Sequence, residues 1–297
     1  MSTAEQLRLA PISLKNILFA MDFSPGSLRA YPFAAGIAYR YGGKVLVAHV
    51  LLPEESTSLP QAEQAYLDKL LQAAAEAGLK DPKGRLPDIP HEVFFDHGDI
   101  CARLLATADR CKIDLIVIGT HGWRGIRKLL KGSTAEEVAC LATRPVLTVG
   151  PKVSGQLDFR HILYATDCTS AGAGALPYAL SVAQTYGADL LVLQVDDGNS
   201  QQGSADAVSN SAKSLRQYSS EYLDHRLADR TEFLVDFGPR ADLILEHAKD
   251  RQADLIVLGL RHSGRLKARI AAHISGSTIY EVISQAPCPV LTIPLAK

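Results

Sequence analysis

The chain has 297 residues, 47% of them hydrophobic and 21% charged, with a formal net charge of −1. A balance so near neutral excludes a bulk field that draws the protein to nucleic acid or to an anionic membrane, so neither is expected as a partner. No stretch approaches 18 apolar residues, and the opening MSTAEQLRLAPISL lacks a basic segment followed by an apolar run. The expectation is therefore a cytoplasmic protein with apolar material for two ordinary cores.

Ile17–Met21 is a short apolar run without alternation that ends at Asp22, as a strand buried on both faces reads. Ser24-Pro25 opens a helix that reaches Tyr41, with Pro25 in the first turn where its missing N–H does no harm, and Gly42-Gly43 stops it. Val45–Val50 is the second strand. The Ala-, Leu- and Gln-rich span 60–77 predicts a helix, and the polar, Pro-broken stretch 80–90 a loop. A third strand follows at His91–Phe95, then a helix over 99–110, a strand at Leu115–Ile118, a helix at Thr134–Leu141 and a strand at Val146–Val149. The second half repeats the order with strands at Ile162–Thr166, Asp189–Val195, Thr231–Val235, Leu255–Leu258 and Val290–Ile293, a helix between each pair. Residues 196–211, rich in Ser, Gly, Asn and Gln, read as a loop.

The two halves are one pattern written twice. Lys15–Asp22 matches Arg160–Asp167 at an offset of 145, Gly119 matches Gly259 at 140, and Gly132-Ser133-Thr134 matches Gly276-Ser277-Thr278 at 144. A period this long is a domain rather than a solenoid repeat. Two homologous domains are expected, 14–151 and 158–297, joined by the breaker-rich Gly150–Gln156. Alternating strands and helices imply, in each, a five-stranded parallel sheet flanked by helices, an α/β fold in two tandem copies. Ligands of such sheets sit beyond the strand carboxyl ends, where the strand order reverses.

A glycine motif lies at that end. In the first half it runs Gly119-x2-Gly122-x9-Gly132-Ser133, and Thr134-x-x-Glu137 has capping-box spacing. Glycines permit a sharp turn and close approach to a ligand, and backbone N–H groups with a helix N-terminus form an anion site. Arg124, Arg127, Lys128 and Lys131 between them are either phosphate partners or a solvated helix face. No Gly-x4-Gly-Lys-Ser/Thr and no Gly-x-Gly-x-x-Gly after the first strand is present, so neither a P-loop nor a dinucleotide fingerprint explains the motif. In the second half position 262 is His where the pattern has glycine, and Gly264-x11-Gly276 lengthens the loop. Either that loop is rearranged and still holds ligand, with Arg261, Arg265 and Lys267 replacing glycine contacts, or the site is kept for packing. The five cysteines (Cys101, Cys111, Cys140, Cys168, Cys288) contain no CxxC pair and read as buried or incidental thiols.

Asp at the end of strand one, Gly-x2-Gly-x9-Gly-Ser after strand four and a closing Pro-Val-Leu-Thr-Val strand resemble the universal stress protein family, in its tandem form. The resemblance implies an adenine-nucleotide-binding fold of the wider adenine nucleotide α-hydrolase-like group. Carried over, it puts Met21, Asp22 and Val50 at the adenosine, and Gly119, Gly122, Gly132, Ser133 and Thr134 around ribose and phosphates, with His121 in the loop. The second-half counterparts are Thr166, Asp167, Val195, Gly259, Gly276, Ser277 and Thr278. It implies ATP as ligand, with Mg2+ or Mn2+ bound through the phosphates rather than by a protein metal site. It further implies that the last strands pair antiparallel, making a pseudo-dimer of the two domains and leaving room for a homodimer of whole chains; the alternative is that helix or loop covers each edge. No acid–base pair or nucleophile–His arrangement assigns a catalytic residue. The function expected is ATP-dependent stress-response regulation. A slow ATPase or nucleotide-transfer enzyme and a ligand-free interaction module are the alternatives.

Overall fold

The computed structural model describes residues 12–51, 59–120, 134–153, 157–167, 172–196, 225–261 and 278–295. The first half comprises β1 (Asn16–Ala20), α1 (Pro25–Tyr41), β2 (Lys44–Leu51), α2 (Leu59–Glu76), β3 (His91–His97), α3 (Ile100–Arg110), β4 (Leu115–Gly119), α4 (Thr134–Leu141) and β5 (Val146–Val149). The second comprises β6 (His161–Thr166), a 3₁₀ turn (Gly172–Ala175), α5 (Leu176–Tyr186), β7 (Asp189–Asp196), α6 (His225–Ala228), β8 (Thr231–Phe237), α7 (Arg240–Asp250), β9 (Leu255–Arg261), α8 (Thr278–Gln285) and β10 (Val290–Leu295). Of the stretch read as a loop, Asp196 instead closes β7, and 197–211 lie outside the described residues. Strands β3, β8 and β9 run two or three residues past their apolar runs, because pairing to a neighbour continues there: Val50 opposes Asp96 and Leu51 opposes His97.

Among the described residues the strands form one sheet in the order β3-β2-β1-β4-β5-β10-β9-β6-β7-β8. Within each half every pairing is parallel; only β5 and β10, at the centre, are antiparallel. The expected pairing of final strands therefore holds inside the chain. Its register sets Leu147 opposite Leu291, and the buried Thr148 and Thr292 each donate a hydroxyl across the seam, to Val290 O and Val146 O at 3.2 Å. Because the halves run in opposite directions, their strand carboxyl ends lie at opposite edges of the sheet.

Alternate residues of each strand enter two separate cores. Ile17, Phe19, Val117 and Leu147 join Leu291, Val257 and Tyr164 under α1, α2 and α5. Leu18, Ile116 and Val146 join Val290, Ile256 and Leu163 under α3, α4, α7 and α8. Both cores cross the seam, so neither half has a core to itself. On the first face Phe33 stacks on Phe159 at 6.3 Å between ring centres, and Arg40 both pairs with Asp158 at 3.1 Å and lies 4.7 Å over the Tyr186 ring.

Two devices recur in both halves. Asp114 Oδ2 accepts from the backbone N–H groups of Lys15 and Asn16, and Asp254 Oδ2 from those of Arg160 and His161, which pins the start of β1 and of β6. The residue two before each, Lys112 or Gln252, takes the same left-handed turn, with φ near 50°. The halves differ at a shared proline. α1 continues through Pro32, whereas the matching Pro177 stands in the first turn of the shorter α5. Proline costs nothing in a first turn and removes a hydrogen bond inside a helix.

Candidate functional site

In the order 3-2-1-4-5 the reversal falls between β1 and β4, and in the second half between β6 and β9. The chain leaving β1 is folded by local chemistry. Met21, buried, donates its N–H to Ala48 O at 2.9 Å, and its carbonyl accepts from His49 Nδ1 at 2.7 Å. Asp22 is exposed, and its Oδ1 accepts the Ser24 N–H at 2.9 Å. Ser24 Oγ in turn caps α1 by accepting from Ser27 N at 3.1 Å, with Pro25 in the first turn. Between them Phe23 adopts φ 60°, an uncommon conformation for a bulky side chain. Its ring lies against Tyr66 at 4.1 Å and His49 at 5.2 Å. Asp-Phe-Ser-Pro is thus a tight turn that presents one carboxylate at the sheet end.

Gly119 ends β4 on the other side of the reversal. A Cβ there would stand 2.2 Å from Gly26 O and 2.8 Å from Ser27 N. The close approach that this glycine permits is by the first turn of α1, not only by a ligand. Gly259, at the matching place, would meet the side chains of Leu295 at 2.9 Å and Ala175 at 3.4 Å. Val50 packs on the second core from β2, one strand away from Asp22. Thr134 opens α4, whose first turn carries Glu136 and Glu137. His121, Gly122, Gly132, Ser133, Gly276 and Ser277 lie outside the described residues, as do Arg124, Arg127, Lys128, Lys131, Arg265 and Lys267.

The second half closes a hollow of about 170 Å³ at its reversal point. Thr166 and Asp167 of the β6 end, Val195 of β7, Gly259 of β9 and Thr278 of α8 all line it. The described second-half counterparts of the residues carried over from the family are therefore brought to one cavity. Its walls also include Arg240 and Ile244 of α7, which sequence reasoning missed. The signal was present: at the offset of 140, Arg240 stands where the first half has Ile100. A larger cleft of about 350 Å³ lies at the opposite, amino-terminal ends of β6–β8. Its two arginines are already engaged by carboxylates, Arg230 by Asp189 at 2.8 Å and Arg251 by both oxygens of Glu232. We place the site at the carboxyl-end hollow because polar side chains and the order reversal coincide there.

Among the described residues no group of three or more His, Cys, Asp or Glu is gathered to hold a metal ion. Among the described residues, Asp167 is the one carboxylate lining the second-half hollow, and Asp22 stands at the matching place in the first half. One carboxylate suits a Mg2+ ion carried by nucleotide phosphates and still largely hydrated. Burial pushes the Cys101 and Cys288 thiols up to about 12 and Cys140 up to about 11, away from thiolate chemistry near neutral pH. No helix among the described residues is long and apolar enough to cross a membrane.

The sequence model of the universal stress protein family matches this chain twice, over residues 13–150 and 158–294. A universal stress protein of Methanocaldococcus jannaschii is 32% identical over 148 residues, 46% of this chain and 81% of that protein. Universal stress protein A homolog 1 of Coxiella burnetii is 31% identical over 143 residues, 46% of this chain and 97% of its own length. Both correspond to one half of the chain. Solved structures also match nearly the whole chain. A universal stress protein from Archaeoglobus fulgidus superimposes with a TM-score of 0.70 at 20% identity, covering 96% of this chain and 98% of that one. A putative universal stress protein from Pseudomonas aeruginosa gives 0.64 at 17%, covering 95% and 94%. At these identities the likeness is one of fold.

Proposed function

We propose, from the premise that this chain belongs to the universal stress protein family across both halves, that it is a cytoplasmic, adenine-nucleotide-binding regulatory protein with one site at each end of its sheet. The domains are 14–151 and 158–297. The observation that carries this reading is the hollow at the second-half reversal point, where Thr166, Asp167, Val195, Gly259 and Thr278 converge. In the first half Met21, Asp22, Val50, Gly119 and Thr134 stand on the matching elements. Val50 or Val195 flanks the base, and Asp22 or Asp167 receives the ribose hydroxyls or the phosphate-bound Mg2+. The N-terminus of α4 or α8, with its glycine segment, takes the phosphates.

The retained Asp167, Val195 and Thr278 favour a second half that still binds over one kept only for packing. Calorimetric titration of the whole chain with ATP and Mg2+ tests the reading. Saturable binding is expected, weakened by Asp22→Ala in one site and by Asp167→Ala in the other. Absence of binding at millimolar ATP overturns it. A binder returns labelled ATP unchanged in single-turnover mixing; labelled ADP or a labelled protein would instead favour the enzyme reading.

A further inference from the structure

Resting on that reading, the way the chain leaves β1 gives His49 a part in the first-half site. In the second half the β6–β7 ladder runs through Thr166, which pairs with Gln194. At the matching place, offset by 145, the β1–β2 ladder ends at Ala20 opposite Ala48, one residue before Met21. Met21 is tied to β2 at both ends all the same. Its N–H goes to Ala48 O at 2.9 Å, and the half-buried ring of His49 donates from Nδ1 to its carbonyl at 2.7 Å. A carbonyl oxygen only accepts, so Nδ1 carries the hydrogen of this bond.

The consequence falls on Asp22. A peptide group is planar, so a fixed Met21 oxygen also fixes the Asp22 nitrogen and Cα. The side chain is held from the other direction: Asp22 Oδ1 accepts the Ser24 N–H at 2.9 Å, and Ser24 caps α1. Between these two bonds Phe23 keeps φ 60°, a strained conformation for a bulky side chain. Such strain persists only where the surroundings over-determine it. His49 does so twice, by its donor and by its ring, which lies 5.2 Å from the Phe23 ring and 6.2 Å from that of Phe95. His49 also directly precedes Val50 on β2, so one strand sets the carboxylate and the apolar side chain of the site against each other. We infer that His49 is a positioning residue of the first-half nucleotide site, holding the 21–23 turn in the conformation that presents Asp22 and acting through the Met21 carbonyl rather than on the ligand.

The test titrates the full chain with ATP and Mg2+ in two backgrounds, Asp167→Ala to leave the first-half site and Asp22→Ala to leave the second. His49→Phe keeps a ring and loses the donor; His49→Asn places an amide donor where Nδ1 stands and gives up the ring. In the Asp167→Ala background His49→Phe is expected to weaken ATP about five- to tenfold, the effect of one lost hydrogen bond on a preorganised group. His49→Asn is expected to restore most of that affinity. In the Asp22→Ala background neither substitution is expected to change ATP affinity, whereas a general loosening of the fold would weaken both sites. Unchanged affinity for His49→Phe in the first background, no recovery with His49→Asn, or equal weakening in both backgrounds overturns the inference and leaves the nucleotide reading standing. No binding of millimolar ATP by the unsubstituted chain overturns both.

Discussion

Substituting Gly119 by alanine separates a packing glycine from a ligand glycine. The added Cβ would stand 2.2 Å from Gly26 O, 2.4 Å from Gly26 C and 2.8 Å from Ser27 N, all of them backbone. Neither side can rotate away, so β4 and the first turn of α1 must part. Overpacking of this kind costs about 1–3 kcal/mol, and a backbone-to-backbone clash belongs at the upper end, about 3 kcal/mol. For a chain of this size that lowers Tm by about 6 °C. Gly259→Ala is the control: its Cβ meets the Leu295 Cδ1 at 2.9 Å, the far end of a side chain that can change rotamer, so under about 1 kcal/mol is expected. Both variants are melted without nucleotide, followed by circular dichroism, with urea midpoints as a second measure. If Gly119→Ala is no less stable than Gly259→Ala, β4 is not held against α1 as described, and the glycine answers to ligand alone.

Four further outcomes follow from the same geometry. Thr148→Val and Thr292→Val each remove a hydroxyl that spans the central seam and should each lower the urea-extrapolated stability by about 1 kcal/mol; no change in either would place the hydroxyls outside the seam. The Arg251 hydrogen bonds hold Glu232, and the His247 hydrogen bond holds Asp236, below the usual carboxylate range. Their stabilisation is full above the ordinary carboxylate range and disappears as pH falls through it to the depressed values. Urea midpoints from pH 7 down to 3 should therefore fall less steeply for Glu232→Gln, by under about 1 kcal/mol because the pair is half exposed. Iodoacetamide at pH 8 should label the exposed Cys111 first and leave Cys101, Cys140 and Cys288 unlabelled until denaturant is added, as mapped by peptide mass spectrometry. Arg40→Ala removes both the Asp158 pair and the stack on Tyr186 and should cost about 1 kcal/mol in thermal stability; an unshifted melt would show that α1 and α5 need no such clasp.

The order of strands and helices was legible because each element carries its own local signal. Ile17–Met21 and Leu115–Ile118 are apolar without alternation, as a doubly covered strand must be, and Asp-x-Ser-Pro contains both the turn and the helix cap that β1 requires. The duplication was legible because both halves solve the same local problems, down to Asp114 and Asp254 at the strand starts. Arg240 went unread because its offset to Ile100 marks a difference between the halves but not which side chain faces a cavity. Only the hollow beside it makes it a wall.

What the sequence determines along the chain is therefore the tandem α/β plan, the turn after Asp22, and the glycines Gly119 and Gly259 of β4 and β9. Tertiary structure decided the rest: that β5 meets β10 antiparallel and carries both cores across the seam, that Gly26 is the backbone Gly119 must admit, and that α7 brings Arg240 to the wall of the second-half hollow. Those facts depend on groups far apart in sequence coming within a few ångströms, and local periodicity and turn chemistry carry no record of which distant surface will arrive.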